Sequence, residues 1–230
     1  MIINSEAQDM EMLYPVMLNL KGKNCLVVGG GRIALQKLET LILTGANIRV
    51  VAKDVIPQIF ELAGSRKIMI ERKPYSSSDL KDIFIVFGAT NDRILNKEIY
   101  LDALKEHILV NIVDTPDLCL FQVPASVKRK GLVISISTSG KSPALAKKIR
   151  KDLEQQYPKT YQIYLEWLDQ WRSKMKRHPV LTLKDRENIF NEIVQYPVIE
   201  WINQDNEESA HRKFNLKMGQ IVRQYLKKKI

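Results

Sequence analysis

The sequence predicts an α/β fold: a parallel sheet in the first half, then a small α+β module, then a helical C-terminal region. Three observations predict it. Short apolar runs alternate with stretches of helical periodicity up to residue 113, a cluster of three glycines joins the first run to the first helix, and helical spacing dominates from Pro158 onward. With 45% hydrophobic and 27% charged residues over 230 positions, the chain has material for one or two cored domains and is not a disordered tail.

Asn24–Val28 is an apolar run ended by Gly29, Gly30 and Gly31, which reads as a strand entering a tight turn. Residues 33–43 then carry apolar side chains at helical spacing, closed by Gly45. Asn47–Ala52 is a second strand rich in Val and Ile, residues 56–63 a helix, 67–71 an alternating third strand and 83–88 a fourth. Residues 92–107 hold Ile94, Leu95, Ile99, Leu101 and Leu104 in a helical pattern, and residues 108–113 return as a strand before Asp114. Strands alternating with helices argue for a parallel sheet buried on both faces.

After Asp114 the rhythm changes. Residues 119–123 and 132–137 read as two strands around the basic stretch Lys128, Arg129 and Lys130. Ser142 reads as an N-cap and Pro143 as the first position of a helix running to about Gln156. Beyond it Tyr164, Leu168 and Trp171 are spaced for one helical face, with Pro179 and Pro197 as interruptions, and Trp167 and Trp171 are expected to pack in a core. The expected division is 1–113, 114–152 and 153–230.

No apolar run approaches the roughly 20 residues a bilayer crossing needs, so no membrane partner is expected. Residues 1–12 carry Glu6, Asp9 and Glu11 and show no basic region followed by an apolar one, so a cytoplasmic location is expected. Two distant cysteines, Cys25 and Cys119, and three scattered histidines, His107, His178 and His211, form no standard metal spacing. The net charge of +10 is unevenly spread: residues 1–110 are close to neutral at +1, and residues 111–230 carry +9. That half attracts anions, whether nucleic acid, an acidic surface or a small polycarboxylate.

Gly29, Gly31 and Ala34 spell G-x-G-x-x-A between a strand and a helix. The first glycine permits the turn, the second clears space for a pyrophosphate, and the alanine lets helix and strand pack closely. The helix N-terminus adds free N–H groups. Gly29, Gly30, Gly31, Arg32 and Ile33 are therefore candidate contacts to a dinucleotide in a Rossmann-type fold; the same turn can also join strand to helix without a ligand. Lys53 and Asp54 follow the second strand, where Asp54 suits ribose hydroxyls and favours NAD, and Lys53 suits a 2′-phosphate. Thr90 and Asn91, after the fourth strand, are candidates for the cofactor wall.

Further residues carry a family resemblance. Residues 15–22, 25–31, Lys37, Gly45 and Ala46 resemble the opening of precorrin-2 dehydrogenases of siroheme synthesis. Gly88 to Asp92, Asn111 to Asp114, Phe121, Pro124, Ser139 to Pro143 and Ala146 follow in the family's order. The resemblance covers about residues 13–152. It implies oxidation of precorrin-2 to sirohydrochlorin with hydride passing to NAD, in a homodimer interlocked through the second module. It also implies a catalytic role for Asp114 as proton acceptor; read alone, Asp114 before Thr115 and Pro116 is a turn residue. Thr138 stands where the family commonly has serine.

A tetrapyrrole polycarboxylate suits the basic half, and Arg129, Thr138, Ser139, Lys141 and Lys148 are candidate substrate contacts, with Lys147 and Arg150 nearby. The charge run at 147–150 is also what a solvated helix face looks like, and Ser139 to Pro143 is also a capping turn. No resident metal and no nucleic-acid partner are expected. Two further readings compete: a bifunctional enzyme that also inserts ferrous iron, with His178 and His211 as added bases, and a non-catalytic module sensing a nucleotide or tetrapyrrole. The tail Lys227, Lys228 and Lys229 fits nucleic-acid binding loosely.

Overall fold

In the computed structural model, which describes residues 13–64 and 68–227, five parallel strands form one sheet in the order β3-β2-β1-β4-β5. They are β1 (Asn24–Val28), β2 (Asn47–Ala52), β3 (Ile68–Arg72), β4 (Ile85–Gly88) and β5 (Leu109–Ile112), joined by α1 (Arg32–Leu41), α2 (Pro57–Gly64) and α3 (Arg93–Lys105). The expectations for residues 1–12, for Lys67 and for Lys228 and Lys229 lie outside the described residues.

β1 is central and apolar on both faces. Cys25, Leu26 and Val27 are fully buried, with Cys25 and Val27 packed beside Ala34, Leu38 and Phe87, and Leu26 and Val28 beside Ile99, Val110 and Ile112. This double burial is why the strands read as continuous apolar runs. The chain starts at β1, moves outward through β2 and β3, then returns to β4 and β5 on the other side. The carboxyl ends of β1 and β4 therefore bound a switch point, where ligands of open α/β sheets bind.

The helix boundaries follow local chemistry. α1 continues into a single 3-10 turn and stops at Gly45, whose φ of +75° is left-handed. Asp92 caps α3 by accepting from the N–H groups of Ile94 and Leu95 at 2.9 and 3.1 Å. The expected strand over 83–88 begins only at Ile85, because Ile83 still belongs to the turn after Leu80, its N–H donating to Leu80 O at 3.1 Å.

One strand assignment fails. Residues 119–123 form no ladder strand; they make an isolated bridge, Asn111 to Cys119, and the Leu120 N–H donates to Val110 O at 2.9 Å. Backbone pairing from Cys119 and Leu120 covers the outer edge of β5, while the Leu120 and Val123 side chains stay exposed. The partner of β7 (Leu132–Ile136) is instead β6 (Ala125–Arg129), antiparallel with Arg129 opposite Leu132. Gly131, at φ +85°, supplies the left-handed residue of the tight turn and draws Lys128 and Arg129 into the strand.

The chain divides into two compact units, the first ending at Val123 and the second starting at Pro124. In the second, the β6–β7 hairpin is followed by α4 (Pro143–Gln156), α5 (Thr160–Lys176), α6 (Leu183–Ile193), α7 (Val198–Gln204) and α8 (Glu207–Lys227). Trp167, Ile189, Ile193, Phe214 and Met218 form its core. Trp167 stacks on His211 at 4.7 Å, and Trp171 packs against the core while its Nε1–H donates to Asn215 Oδ1 at 2.7 Å. Pro179 lies between α5 and α6, and Pro197 is the N-cap of α7. Among the described residues no helix is long and apolar enough to cross a membrane.

Candidate active site

The three glycines of the β1–α1 turn do different work. A Cβ on Gly29, at φ +121°, would lie 2.3 Å from Ala89 O, and one on Gly30 would lie 2.1 Å from Asp54 O. Both are held tightly by neighbouring loops: the Gly29 N–H donates to Val51 O and Gly30 O accepts from the Ile56 N–H. A Cβ on Gly31 would meet nothing within 4 Å. The turn therefore presents its open side at Gly31, and α1 begins there with no side-chain cap, leaving its first-turn N–H groups without a protein side chain to satisfy them. Room for a backbone approach together with uncapped donors fits a dinucleotide pyrophosphate. The N-terminus of α3 lacks that vacancy, because the Asp92 carboxylate already holds two of its donors.

Arg32 and Ile33 are exposed in the first turn of α1, and Ala34 is fully buried against the sheet. Lys53 and Asp54 are exposed just past β2, with the Asp54 carbonyl against Gly30. All these groups lie at the carboxyl edge of the sheet.

A cavity of about 450 Å³ opens at the same edge, lined among others by Ile33, Thr90, Asn91, Arg93, Asp114 and Thr115. Thr90 is locked in place: its hydroxyl donates to Asn96 Oδ1 at 2.7 Å, and Asn96 Nδ2 donates back to Thr90 O at 3.0 Å. Asn96 is buried, so this pair fixes the loop after β4 from below. Asp114 follows β5 in a left-handed conformation, φ +59°, with its side chain exposed. That conformation costs a non-glycine residue about 1 kcal/mol and is kept by its surroundings. The Cys119 thiol donates to Ile112 O at 3.1 Å and lies 3.3 Å from Thr115 O, while Asn111 Nδ2 donates to Phe121 O at 2.9 Å. The loop that carries Asp114 is thus clasped from both sides.

Two cations at this site were not singled out from the sequence as site residues. Lys37, on α1 one turn after Ile33, is half-buried with its ammonium 5.6 Å from the centre of the Phe87 ring. Burial pushes its pKa down, and the charges of Cys119 and Asp114 oppose that shift, so the ammonium stands within electrostatic reach of Asp114. Arg93, the first residue of α3, lines the cavity itself. The signal for Lys37 was its i+4 spacing from Ile33; for Arg93 it was the position directly after a capping aspartate.

The candidates in the second unit are placed differently. Arg129 donates from Nε to Tyr157 O at 2.9 Å and from Nη2 to Glu154 O at 3.2 Å, closing the end of α4, and from Nη1 to Lys128 O. The Lys141 N–H donates to Thr138 O across Ser139 and Gly140, both left-handed at φ +51° and +78°. Thr138 Oγ1 accepts from the Ser142 N–H at 3.1 Å, and Ser142 Oγ from the Leu145 N–H at 3.2 Å, so the hydroxyls build the entry to α4. Ser139, Lys141, Lys147 and Lys148 are exposed, and Arg150 pairs with Glu154. His178 accepts at Nδ1 from the Val180 N–H, and His211 is the ring stacked on Trp167.

Residues 16–125 match the family model described as "Putative NAD(P)-binding", and residues 129–156 the one described as "Sirohaem biosynthesis protein central". The siroheme synthase of Nitrosococcus oceani is 33% identical over 196 residues, 85% of this chain and 42% of that protein. That of Ruthia magnifica is 38% identical over 162 residues, 70% of this chain and 34% of that protein. The chain spans less than half the length of these siroheme synthases. A solved structure of SirC, a precorrin-2 dehydrogenase, is similar with a TM-score of 0.72 and 31% identity, covering 90% of this chain and 100% of that one. With 31% identity and overlap along all of SirC, together with the match to the sirohaem central family model, the chain belongs to the precorrin-2 dehydrogenase family of siroheme biosynthesis.

Proposed function

We propose that this protein is an NAD-dependent dehydrogenase that oxidises precorrin-2 to sirohydrochlorin. The observation that carries the reading is Asp114, held in a left-handed turn at the end of β5 and facing a cavity whose rim continues into the uncapped glycine turn. The similarity to SirC and the NAD(P)-binding family match support the same reading.

NAD, when bound, supplies the hydride acceptor. The chain's own residues do the rest. Gly31 and the first-turn N–H groups of α1 hold the diphosphate, Asp54 accepts from the ribose hydroxyls, and Thr90 and Asn91 wall the cofactor. Oxidation removes a hydride and a proton from the substrate, and an Asp114 carboxylate oxygen takes the proton. The Cys119 and Asn111 clasps hold the loop that carries Asp114, and the Lys37 ammonium brings a positive charge within electrostatic reach of it. In the second unit, Ser139, Lys141 and Lys148 meet the substrate's carboxylates, Thr138 shapes the turn that presents them, and Arg129 braces α4 behind them. We further propose a cytoplasmic homodimer formed through residues 114–152; the free thiols Cys25 and Cys119 suit a reducing compartment.

Anaerobic turnover of precorrin-2 with NAD tests the reading, followed by absorbance of NADH and of sirohydrochlorin. Formation of both in equal amounts is expected. Binding of the tetrapyrrole without oxidation by NAD or NADP overturns it in favour of a sensor. The same assay with ferrous iron measures whether siroheme forms above the uncatalysed rate.

A further inference from the structure

We propose that Arg93 is a substrate-binding residue that receives one carboxylate of the tetrapyrrole at the rim of the Asp114 cavity. The inference rests on the dehydrogenase reading and deepens it by adding a subsite in the first unit, where the charge distribution of the sequence directs no attention.

Among the residues lining the cavity, Asp114 is the one acid and Arg93 the one cation. An anionic substrate brought to Asp114 meets a like charge, and the energy of that encounter depends on a compensating cation on the same wall. Arg93 is exposed, and its guanidinium makes no ion pair or side-chain hydrogen bond among the described residues. It is therefore free to form a bidentate pair with a carboxylate. Its backbone is anchored: Asp92 caps the helix directly before it, and the Thr90–Asn96 pair fixes the loop leading in. The capped helix start anchors the backbone from which the guanidinium reaches the rim.

The competing anion is the cofactor's diphosphate, which has the same oxyanion chemistry. The diphosphate has its own place at Gly31 and the uncapped start of α1, whereas the donors at the start of α3 are already held by Asp92. The anion left for Arg93 is the substrate's.

The test compares wild type with Arg93→Gln and Arg93→Lys, using KM and kcat for precorrin-2, the NAD dissociation constant, and sirohydrochlorin affinity by fluorescence. Thermal melting of each variant checks the fold. Arg93→Gln is expected to raise KM for precorrin-2 and weaken sirohydrochlorin binding about tenfold, the loss of one charge-assisted hydrogen-bonded pair. NAD affinity stays unchanged, kcat stays within about twofold, and Arg93→Lys lies between. Unchanged KM and sirohydrochlorin affinity overturn the inference while leaving the dehydrogenase reading intact. A weaker NAD affinity with KM unchanged also overturns it and assigns Arg93 to the diphosphate. If wild type fails to oxidise precorrin-2, the dehydrogenase reading falls, and sirohydrochlorin affinity alone decides the subsite.

Discussion

The two units differ in net charge, and both commit part of their basic side chains to structure; in the first, Arg49 and Lys73 pair with Glu71 and Asp79. In the second, which carries most of the positive charge, many cations are already engaged: Arg129 closes α4, Arg150 pairs with Glu154, Lys130 with Glu166 at 2.7 Å, and Lys213 and Lys217 lie over Trp201 and Tyr196. In the first, nearly neutral unit, Arg93 lines the cavity unpaired and Lys37 is half-buried within reach of Asp114. A net charge therefore sets a long-range field that draws in an anion, while the chemistry depends on a few cations held by backbone geometry. Counting charges pointed to one unit, and the cations beside the Asp114 cavity are found in the other.

The largest effect expected in this comparison is at Asp114. Asp114→Asn keeps the size and removes the base, so kcat falls by roughly a hundredfold or more while NAD binding is retained; turnover at the wild-type rate would remove Asp114 from the mechanism. Next come the glycines. Gly31→Val is expected to fold normally, since a Cβ there meets nothing within 4 Å, and to weaken NAD binding at least about tenfold in a titration. Gly29→Ala places a Cβ 2.3 Å from Ala89 O at a left-handed φ, so it lowers the melting temperature instead. A Gly31→Val protein with full NAD affinity would break the assignment of the diphosphate.

A smaller change is expected from Lys37→Met. Removing the ammonium takes a positive charge away from the Asp114 loop, so KM for the anionic substrate rises about threefold, and Lys37→Arg restores it. Arg93, Asp117 and the Cys119 thiol are the other charged or titratable groups around this loop. An unchanged KM in Lys37→Met would show that the residue acts only in packing.

The smallest effect at neutral pH compares the units as folded bodies. Burial pushes the Cys25 thiol from 9.0 to about 11 and the Tyr164 phenol from 10.0 to about 12. In each case the folded state retains a proton that the unfolded chain releases. The contribution to stability is therefore full below the unfolded value and is lost as pH rises through the folded one. Denaturant midpoints should hold steady up to about pH 9 and fall between pH 9 and 12. Cys25→Ala should flatten the lower part of that fall, and Tyr164→Phe the upper; a fall identical in both variants would mean other groups control it.

Most of the first unit was legible from sequence. β1 and β2 lie where their apolar runs end, because strands buried on both faces leave an uninterrupted signal bounded by turn residues. α4 starts at Pro143 after the Ser142 cap for an equally local reason. Residues 119–123 misled because an apolar segment covering a sheet edge has the composition of a strand without its pairing. Gly30 shows the same limit: its packing against Asp54 O depends on a loop some 24 positions away, which the motif spelling does not describe.

By itself the sequence determined the alternation of strands and helices, the glycine turn, the caps and the helical character beyond Pro158, since these follow from periodicity and from what one residue's backbone permits. Tertiary structure decided which side chains were free to act. It placed Arg93 on the cavity wall without a partner among the described residues, set Lys37 within electrostatic reach of Asp114, and committed Arg129 to the end of α4. Whether a charge is available depends on neighbours brought together by folding, and no local pattern encodes those distances.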